Sequence, residues 1–462
     1  MMDAFFSPGS VAIAGASKSL MKLGNVPIDN LLRFGYQGRI IPLNPDGGEI
    51  MGLRAYPSLE DVEGSVDLAV AVIPRENICS FLDSCGRAGV RNAIITAAGF
   101  ADAGEVGASL QRDVEAAAKR NSVRIMGPNS IGTINTAVGF VTSIITLDAM
   151  PSGPVSVVAQ SGLFAAGFAR WMSSSQCYGL AKVACLGNKA DISEMDVLAY
   201  LEDDPATGVV ALHTEGVEDG RSFVDLVARV SLRKPVVVVK PGSSEAGRTA
   251  AQSHTGALAG SHEVFMGALA QTGAVPVGDF EEMFDCAKAF AYCPLPAGNR
   301  LGVVSVTGAG CSLAADACEA RGLTVPPLSR ESLRYATEGL PAWASFNNPA
   351  DIWAAIMAEG NAGAYYKLMR AMASQDDIDM LLAVFTIAPQ FEFDVAGVID
   401  RIRVEFPEKP VLTTVLWGAS DDSRRWFESL EGARIPMYPS IERAVAAAGA
   451  LNRYSSWLRR QR

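Results

Sequence analysis

Three histidines occur in the 462-residue chain, and His254 has the surroundings that best suit chemistry. It lies in a run of small residues, Ala-Gln-Ser-His-Thr-Gly-Ala-Leu-Ala-Gly over 251–260, just before a predicted helix over 261–271. Such a loop packs little of its own and is a poor place for a core histidine. A neutral imidazole there is a competent nucleophile towards phosphorus. Taken alone, His254 is more commonly explained as a loop histidine with a hydrogen bond to the backbone. We interpret His213 and His262 in this way.

A phosphorylated histidine needs groups that neutralise the phosphoryl oxygens and an acceptor for its second ring nitrogen. Helix N-termini meet the first need, because their unpaired N–H groups and the helix dipole favour anions. Glu215, in the turn after a predicted strand, is placed to accept from the imidazole. Asp191 with Glu194 also fits an ordinary capping box, which is compatible with a functional role. Two predicted helix starts supply the candidate phosphate-binding residues Gln160, Ser161, Gly162, Asn188, Lys189 and Asp191.

One local pattern occurs three times along the chain: a short apolar run, a turn of small residues and a helix-like stretch. The three runs begin at Val11, Val155 and Val303. Continuous apolar runs are typical of buried parallel strands, and small residues let the next helix start close to the strand end. The pattern predicts an α/β protein with doubly wound domains. Further strands are predicted at 39–43, 68–73, 92–96, 123–126, 182–186, 209–212, 236–239, 274–277, 323–325, 380–385, 411–415 and 435–437.

Chain breakers indicate where these domains meet. A length of 462 residues predicts about three domains of ordinary size. Segments rich in Pro and Gly occur at 150–154 and at 293–299. The predicted domains are therefore 1–150, 151–293 and 294–462.

The turn after the first predicted strand, from Gly15 to Gly24, has small residues that leave backbone N–H groups free to approach a phosphate. It has neither the G-x-G-x-x-G pattern nor the G-K-[ST] of a P-loop, so a plain β–α turn explains it equally well. Parallel strands bring their carboxyl ends to one crevice, and turn motifs follow four more predicted strands. These motifs are Asn44-Pro45, Pro74-Arg75, Ala98-Gly-Phe100 and Gly127-Pro-Asn129.

Composition argues against several classes of protein. The formal net charge is −11, and no cluster of Lys and Arg is present that could replace the counterions of a nucleic acid. The eight cysteines lack C-x-x-C spacing, which favours reduced thiols of a cytoplasmic protein over zinc ligands or disulfides. No signal peptide is visible, and the longest uncharged stretch, 125–147, carries too many polar residues to cross a membrane.

Taken in order, the motifs resemble those of the nucleoside-diphosphate-forming acyl-CoA synthetases, the family that includes succinyl-CoA synthetase. The resemblance is to their α subunits and covers essentially the whole chain. It rests on Gly15-Ala-Ser17 with Lys22-Leu-Gly24, Gly127-Pro-Asn129, Gln160-Ser-Gly162, Gly187-Asn-Lys-Ala-Asp191, Glu215-Gly-Val217, the run 253–260 and Asn348-Pro-Ala-Asp351.

The resemblance implies a Rossmann-like CoA-binding domain followed by two flavodoxin-like domains. It also implies a reversible reaction from acyl-CoA and phosphate through acyl phosphate and phosphohistidine to ATP. In this reaction His254 accepts the phosphoryl group, Glu215 is its partner, and the two helix starts hold phosphate. The implied coenzyme A crevice consists of Gly15, Ser17, Lys22, Asn44, Pro45, Pro74 and Asn129.

The chain has no further region that could be an ATP-grasp nucleotide site. A separate β subunit that binds the Mg-nucleotide is therefore expected, in an α2β2 heterotetramer, with a small organic acid as substrate and no metal on this chain.

Arg75, Asp102 and Ser130 depart from the family pattern. These departures concern the acyl group and the details of coenzyme A binding, and not the phosphoryl transfer. Two alternatives are a CoA-binding regulatory protein of the same fold and, less favoured without G-x-G-x-x-G, a dehydrogenase.

Overall fold

The computed structural model describes residues 2–19, 21–148, 150–162, 167, 171–172, 176–247, 249, 261–388 and 392–462. His254 and its loop lie outside the described residues. The chain divides into two compact units, Met1–Pro276 and Val277–Arg462.

The first sheet of the first unit consists of five parallel strands in the order β2-β1-β5-β6-β7. Its strands β1 and β5 are buried along their whole length, which is why they form continuous apolar runs in the sequence. The strands are β1 (Ser10–Ala14), β2 (Arg39–Leu43), the hairpin β3 (Gly48–Ile50) and β4 (Leu53–Ala55), then β5 (Leu68–Ala71), β6 (Asn92–Ile95) and β7 (Arg124–Met126). The helices are α1 (Asp3–Phe6), α2 (Val26–Arg33), α3 (Ile78–Arg87) and α4 (Gly104–Asn121).

The second sheet has seven strands in the order β14-β13-β12-β10-β11-β8-β9. They are β8 (Thr133–Asn135), β9 (Phe140–Val141), β10 (Ser152–Ala159), β11 (Leu180–Cys185), β12 (Val209–His213), β13 (Val236–Val239) and β14 (Val275–Val277). Strands β10 to β13 pair in parallel, whereas β8 runs antiparallel to β11, and β9 antiparallel to β8. The described helices beside this sheet are α5 (Glu194–Asp203), α6 (Gly220–Ser231) and α7 (His262–Leu269).

The third sheet belongs to the second unit and has five parallel strands in the order β16-β15-β17-β18-β19. They are β15 (Leu301–Ser305), β16 (Ala350–Asp351), β17 (Met380–Thr386), β18 (Val411–Leu416) and β19 (Met437–Tyr438). The helices are α8 (Phe280–Tyr292), α9 (Gly308–Ala320), α10 (Arg330–Thr337), α11 (Trp353–Ala373), α12 (Val395–Glu405), α13 (Ser420–Gly432) and α14 (Ile441–Gln461).

All three sheets contain the same arrangement of parallel strands. If these strands are numbered within each sheet, and the hairpin and β8–β9 are set aside, every sheet has the order 2-1-3-4-5 that is typical of flavodoxin-like folds. The three repeated patterns of the sequence lie in strand 1 of each sheet, at β1, β10 and β15. The predicted α/β class with parallel sheets is therefore confirmed.

Two details of the predicted strands differ. Residues 323–325 form no strand, because only Thr324 makes a β-bridge, to Arg300. Strands β3, β4, β8, β9 and β16 were not predicted, because two or three residues are too few to show a periodic pattern.

The division at 150 and 293 stays a prediction, and strand pairing adds two facts to it. Strands β8 and β9 precede residue 150, yet they extend the second sheet. Helix α8 precedes residue 293, yet it belongs to the second unit. Within the first unit, one apolar core joins residues of both sheets, including Ile13, Leu68, Val158 and Val210. None of the described helices combines the length and the apolar character that crossing a bilayer requires.

Candidate functional site

The carboxyl ends of β10 and β12 form the centre of the second sheet's edge. Gln160 directly follows β10 and is buried. Its backbone N–H donates to the carbonyl of His213 at 3.2 Å, and its side-chain Oε1 accepts from the backbone N–H of Glu215 at 3.0 Å. These two strands are strands 1 and 3 of the 2-1-3-4-5 order and lie side by side, at the switch point where ligands bind in open α/β sheets. The structure thus brings two predicted site residues, Gln160 and Glu215, into direct contact.

Lys189 joins the next strand end to this pair. It lies in the turn after β11 in the left-handed backbone region, with φ of 56°. Its ammonium group donates to the carbonyl of Gly216 at 2.6 Å and forms a 3.0 Å ion pair with Glu194. Glu194 opens α5 and its side chain is only 2% exposed. Lys189 is therefore a partly buried cation, with a side chain 10% exposed, that links the ends of β11 and β12.

Two further ionisable groups at this edge were not predicted as site residues. Burial, with the charge of Lys189 adding to it, lowers the pKa of His213 to about 4, so this ring is neutral near pH 7. Lys240 directly follows β13; burial lowers its pKa, while the carboxylate of Glu215 opposes the shift. The only signal for Lys240 in the sequence is its place after four consecutive valines.

The backbone after β10 is tight. A Cβ added at Gly162 would lie 3.1 Å from the side chain of Ile131, so a larger residue there would press on the neighbouring loop. Ser161 precedes it and is partly exposed. Most of the helix predicted to follow these residues lies outside the described residues.

Asp191 lies in the same loop as Lys189, but its carboxylate has other partners. Both of its oxygens accept from the guanidinium of Arg124, at 2.8 and 2.9 Å, and one also accepts from the backbone N–H of Ile125 at 2.8 Å. The predicted capping box of Asp191 and Glu194 is wrong. Ser193 is the N-cap of α5, and its backbone N–H donates to Asp196. The helix begins two residues later than the spacing suggested.

The loop after β1 is held in shape by its own backbone and by two asparagines. A Cβ at Gly15, which has φ of +95°, would lie 2.0 Å from the carbonyl oxygen of Val72, so only glycine fits. Asn25, a residue that sequence reasoning missed, accepts from the Ser17 N–H at 2.9 Å and donates to the Ser17 carbonyl at 2.8 Å. The side chain of Asn44 donates to the carbonyl of Ala16 at 2.8 Å. The turn is thus preformed at the end of the strand.

The surface of this edge fits a ligand that carries phosphates. Lys18, Lys22, Pro45 and Pro74 are exposed around the loop, and Ser17 is partly exposed. Two exposed lysines beside a preformed turn of small residues suit a phosphate group, in the same way as other strand-to-helix turns. The residues present therefore fit the coenzyme A that the sequence predicts.

A contact between two asparagines joins the two predicted sites of the first unit. Asn129 belongs to the predicted coenzyme A crevice, and Asn188 to the predicted phosphate-binding residues. The amide of Asn129 donates to Oδ1 of Asn188 at 3.5 Å, and the amide of Asn188 donates to Asp102 at 2.8 Å. Asp102 also accepts from the backbone N–H groups of Gly99 and Phe100. Burial works to raise the pKa of Asp102, but the hydrogen bond from Asn188 and those from the backbone outweigh it, so the pKa is lowered.

The other two departures from the family pattern have local roles. The guanidinium of Arg75 donates to the carbonyl of Gly99 at 2.7 Å. The hydroxyl of Ser130 is buried and donates to the carbonyl of Cys185 at 2.7 Å, next to the turn that carries Asn188. Both side chains therefore brace the loops around the junction.

Comparison with known families agrees with this geometry. Residues 9–136 match the family described as a CoA binding domain, and residues 152–290 match the succinyl-CoA ligase like flavodoxin domain. A CoA-binding domain joined to a ligase-type flavodoxin domain defines the class of acyl-CoA ligases.

Individual relatives narrow this class. The α subunit of an ADP-forming acetate–CoA ligase II from Pyrococcus furiosus is 33% identical over 98% of this chain and 97% of that protein. An ADP-forming acetate–CoA ligase II from Archaeoglobus fulgidus is 34% identical, and this chain spans 66% of its length. A dinucleotide-forming acetyl-coenzyme A synthetase from Candidatus Korarchaeum cryptofilum, solved with phosphate and ADP, superposes with a TM-score of 0.91 at 31% identity over 100% of this chain and 99% of its own. The chain belongs to the family of ADP-forming acyl-CoA ligases.

Proposed function

We propose that this chain is the α subunit of an ADP-forming acid–CoA ligase. The reaction converts acyl-CoA, phosphate and ADP reversibly to the acid, coenzyme A and ATP. The observation that carries the proposal is the hydrogen bond between Gln160 and Glu215 at the centre of a flavodoxin-like sheet, with Lys189 bonded to the carbonyl of the adjacent Gly216. A CoA-binding domain and relatives that span nearly the whole chain support it.

The chemistry uses three transfers. Phosphate attacks the thioester carbonyl, the C–S bond breaks, and coenzyme A leaves as its thiol. The neutral ring of His254 then attacks the phosphorus of the acyl phosphate, and the acid leaves as a carboxylate. Finally an oxygen of ADP attacks the phosphorus, which breaks the N–P bond and forms ATP. Glu215 accepts the N–H of the second ring nitrogen and so holds the imidazole in its reactive tautomer.

The residues around the phosphoryl group neutralise its charge. Backbone N–H groups at Ser161 and Gly162 and the side chain of Gln160 are suited to its oxygens, as at other helix starts. Asn188 and Lys189 form the second wall. Asp191 has its carboxylate committed to Arg124, so its role in this wall is to position the loop.

A second subunit completes the enzyme. This chain spans 66% and 64% of two longer Archaeoglobus fulgidus relatives, whereas it spans 97% and 98% of two Pyrococcus furiosus α subunits. This difference in length supports a separate β subunit, and we propose that it has an ATP-grasp site that binds the Mg-nucleotide. The assembly is an α2β2 heterotetramer of the cytoplasm, and its substrate is a small organic acid.

A phosphorylation assay tests the proposal. The chain is incubated with its co-purified β subunit, Mg²⁺ and γ-labelled ATP, and the label on the α subunit is measured after acid and after base treatment. The expected label is acid-labile and base-stable, and His254→Ala abolishes it, whereas the matched variant His262→Ala keeps it. A label that survives in His254→Ala contradicts the proposal. Coenzyme A binding without any label supports the regulatory alternative instead.

A further inference from the structure

A cleft of about 270 Å³ opens between α6 and α7, beside the strand-end residues of the second sheet. Most of its walls are apolar. The rings of Phe223 and Phe265 stack within it at a centroid distance of 5.8 Å, and Val264 is 72% exposed at its rim. The apolar lining residues are Val217, Phe223, Val224, Val264, Phe265 and Leu269.

Among the described residues that line this cleft, Lys240 is the single charged one. The residue as a whole is only 7% exposed. Within the described part of the chain, its ammonium group has no hydrogen bond or ion pair. The group lies 5.5 Å from the centre of the Phe265 ring and interacts electrostatically with the carboxylate of Glu215. An ammonium has three N–H donors, and that of Lys240 is available to an acceptor in the cleft. The cleft therefore presents a cation to whatever enters it.

The size and polarity of the cleft select the kind of anion. A volume of about 270 Å³ is close to the lower end of the range of about 300–1,000 Å³ that is usual for small-molecule pockets. A phosphate dianion needs several N–H donors, such as those of a helix N-terminus. One ammonium among apolar walls instead suits a monoanion with a short hydrocarbon tail.

We propose that this cleft binds the carboxylic acid substrate, with its carboxylate on Lys240 and its hydrocarbon tail between Phe223 and Val264. The inference rests on the proposed function for the acid's role as substrate. Its position agrees with that role, because β13 pairs with β12 up to His213 and Val239. Lys240 and Glu215 follow these strands, so the acid lies one strand away from the phosphoryl site.

Measuring the affinity of the chain for carboxylic acids tests the inference directly. Titration calorimetry is done on the complete chain with acetate, butanoate and hexanoate. The affinity is expected to rise about fourfold for each added methylene until the cleft is filled. Lys240→Met is expected to weaken binding of all three acids by about tenfold or more, because it removes a charge-assisted hydrogen bond. Lys119→Met, at an exposed lysine of α4, serves as the matched control and keeps full affinity.

A second variant tests the tail. Ala268→Phe adds bulk to the cleft from a half-buried position on α7 and leaves Lys240 in place. It is expected to lose the affinity gained between acetate and hexanoate, while acetate binds as before. In the holoenzyme, Lys240→Met raises KM for the acid and leaves KM for ATP and coenzyme A unchanged. These variants are compared after circular dichroism shows that they fold.

The outcomes separate this inference from the proposed function. Unchanged acid affinity in Lys240→Met, or no acid binding by the native chain, overturns the cleft, even when His254 is labelled normally. Loss of affinity in Lys240→Met with no label on His254 supports the cleft as an acid-binding site and contradicts the ligase.

Discussion

The second and third sheets have the same strand order, but their carboxyl edges differ in character. The second sheet places Gln160, Lys189 and Glu215 directly after its strands. The third sheet places Trp353 after β16 and Trp417 after β18, which are 46% and 77% exposed. The strands that lead to these two edges are of the same kind, since in both sheets they are buried. Strand order thus decides where a site can lie, and the few residues after each strand decide its chemistry.

Buried ion pairs show the same contrast. In the first unit, Lys189 pairs with Glu194 at the edge of the sheet, where phosphate chemistry is proposed. In the second unit, Lys288 of α8 pairs with Glu431 of α13 at 2.8 Å, with side chains 3% and 0% exposed. The second pair lies between helices, so we expect it to support the fold alone.

The largest expected effect comes from removing the lysine of each pair. Lys189→Met and Lys288→Met should each lower the free energy of unfolding by about 3–5 kcal/mol, because a buried carboxylate then loses its partner. Urea unfolding measures this. Only Lys189→Met should also reduce the label on His254 per folded molecule. An equal loss of label in Lys288→Met would remove the contrast between the two units.

An intermediate effect is expected from pH. The pKa of His213 is about 4 in the fold and about 6.5 when unfolded. Between these values the unfolded chain binds the extra proton, so stability is lost as pH falls from about 6.5 towards 4. At pH 5 the expected loss is about 2 kcal/mol, at roughly 1.4 kcal/mol per pKa unit. His213→Gln should flatten this part of the curve in denaturant titrations; a variant with the native slope argues against the assignment.

The smallest effect is expected at the apolar edge of the third sheet. Trp417→Ala should change the free energy of unfolding by less than about 0.5 kcal/mol, because most of the side chain is already in water. The label on His254 should stay at the native level. A clear loss of label would show that this edge takes part in the chemistry, and the comparison of the two sheets would need revision.

Most of the fold could be predicted from the sequence. The starts at Val11, Val155 and Val303 lie in the first strand of each sheet, because buried parallel strands leave a strong apolar signal. Strand β16 has only two residues and leaves none. Residues 323–325 are apolar enough for a strand, but only Thr324 finds a partner. Short elements depend on tertiary neighbours, which local pattern does not contain.

Turn motifs in the sequence indicate part of the candidate site. They point to Gln160 and Glu215, which the structure joins by a hydrogen bond. Asp191 faces Arg124, a distant residue whose partner no local spacing indicates. Lys240 was missed because lysine is usually a surface residue, and its burial follows from the packing of α6 and α7 over the strand end. Residue type and spacing indicate candidates, but burial selects among them.

The contact of Asn129 with Asn188 has a thermodynamic consequence. One amide belongs to the predicted coenzyme A crevice and the other to the predicted phosphate wall. If binding of the cofactor at Asn129 changes the affinity for phosphate by some factor, phosphate must change the affinity for the cofactor by the same factor. The two ligands are then effectors of each other, and each one's dissociation constant depends on the concentration of the other.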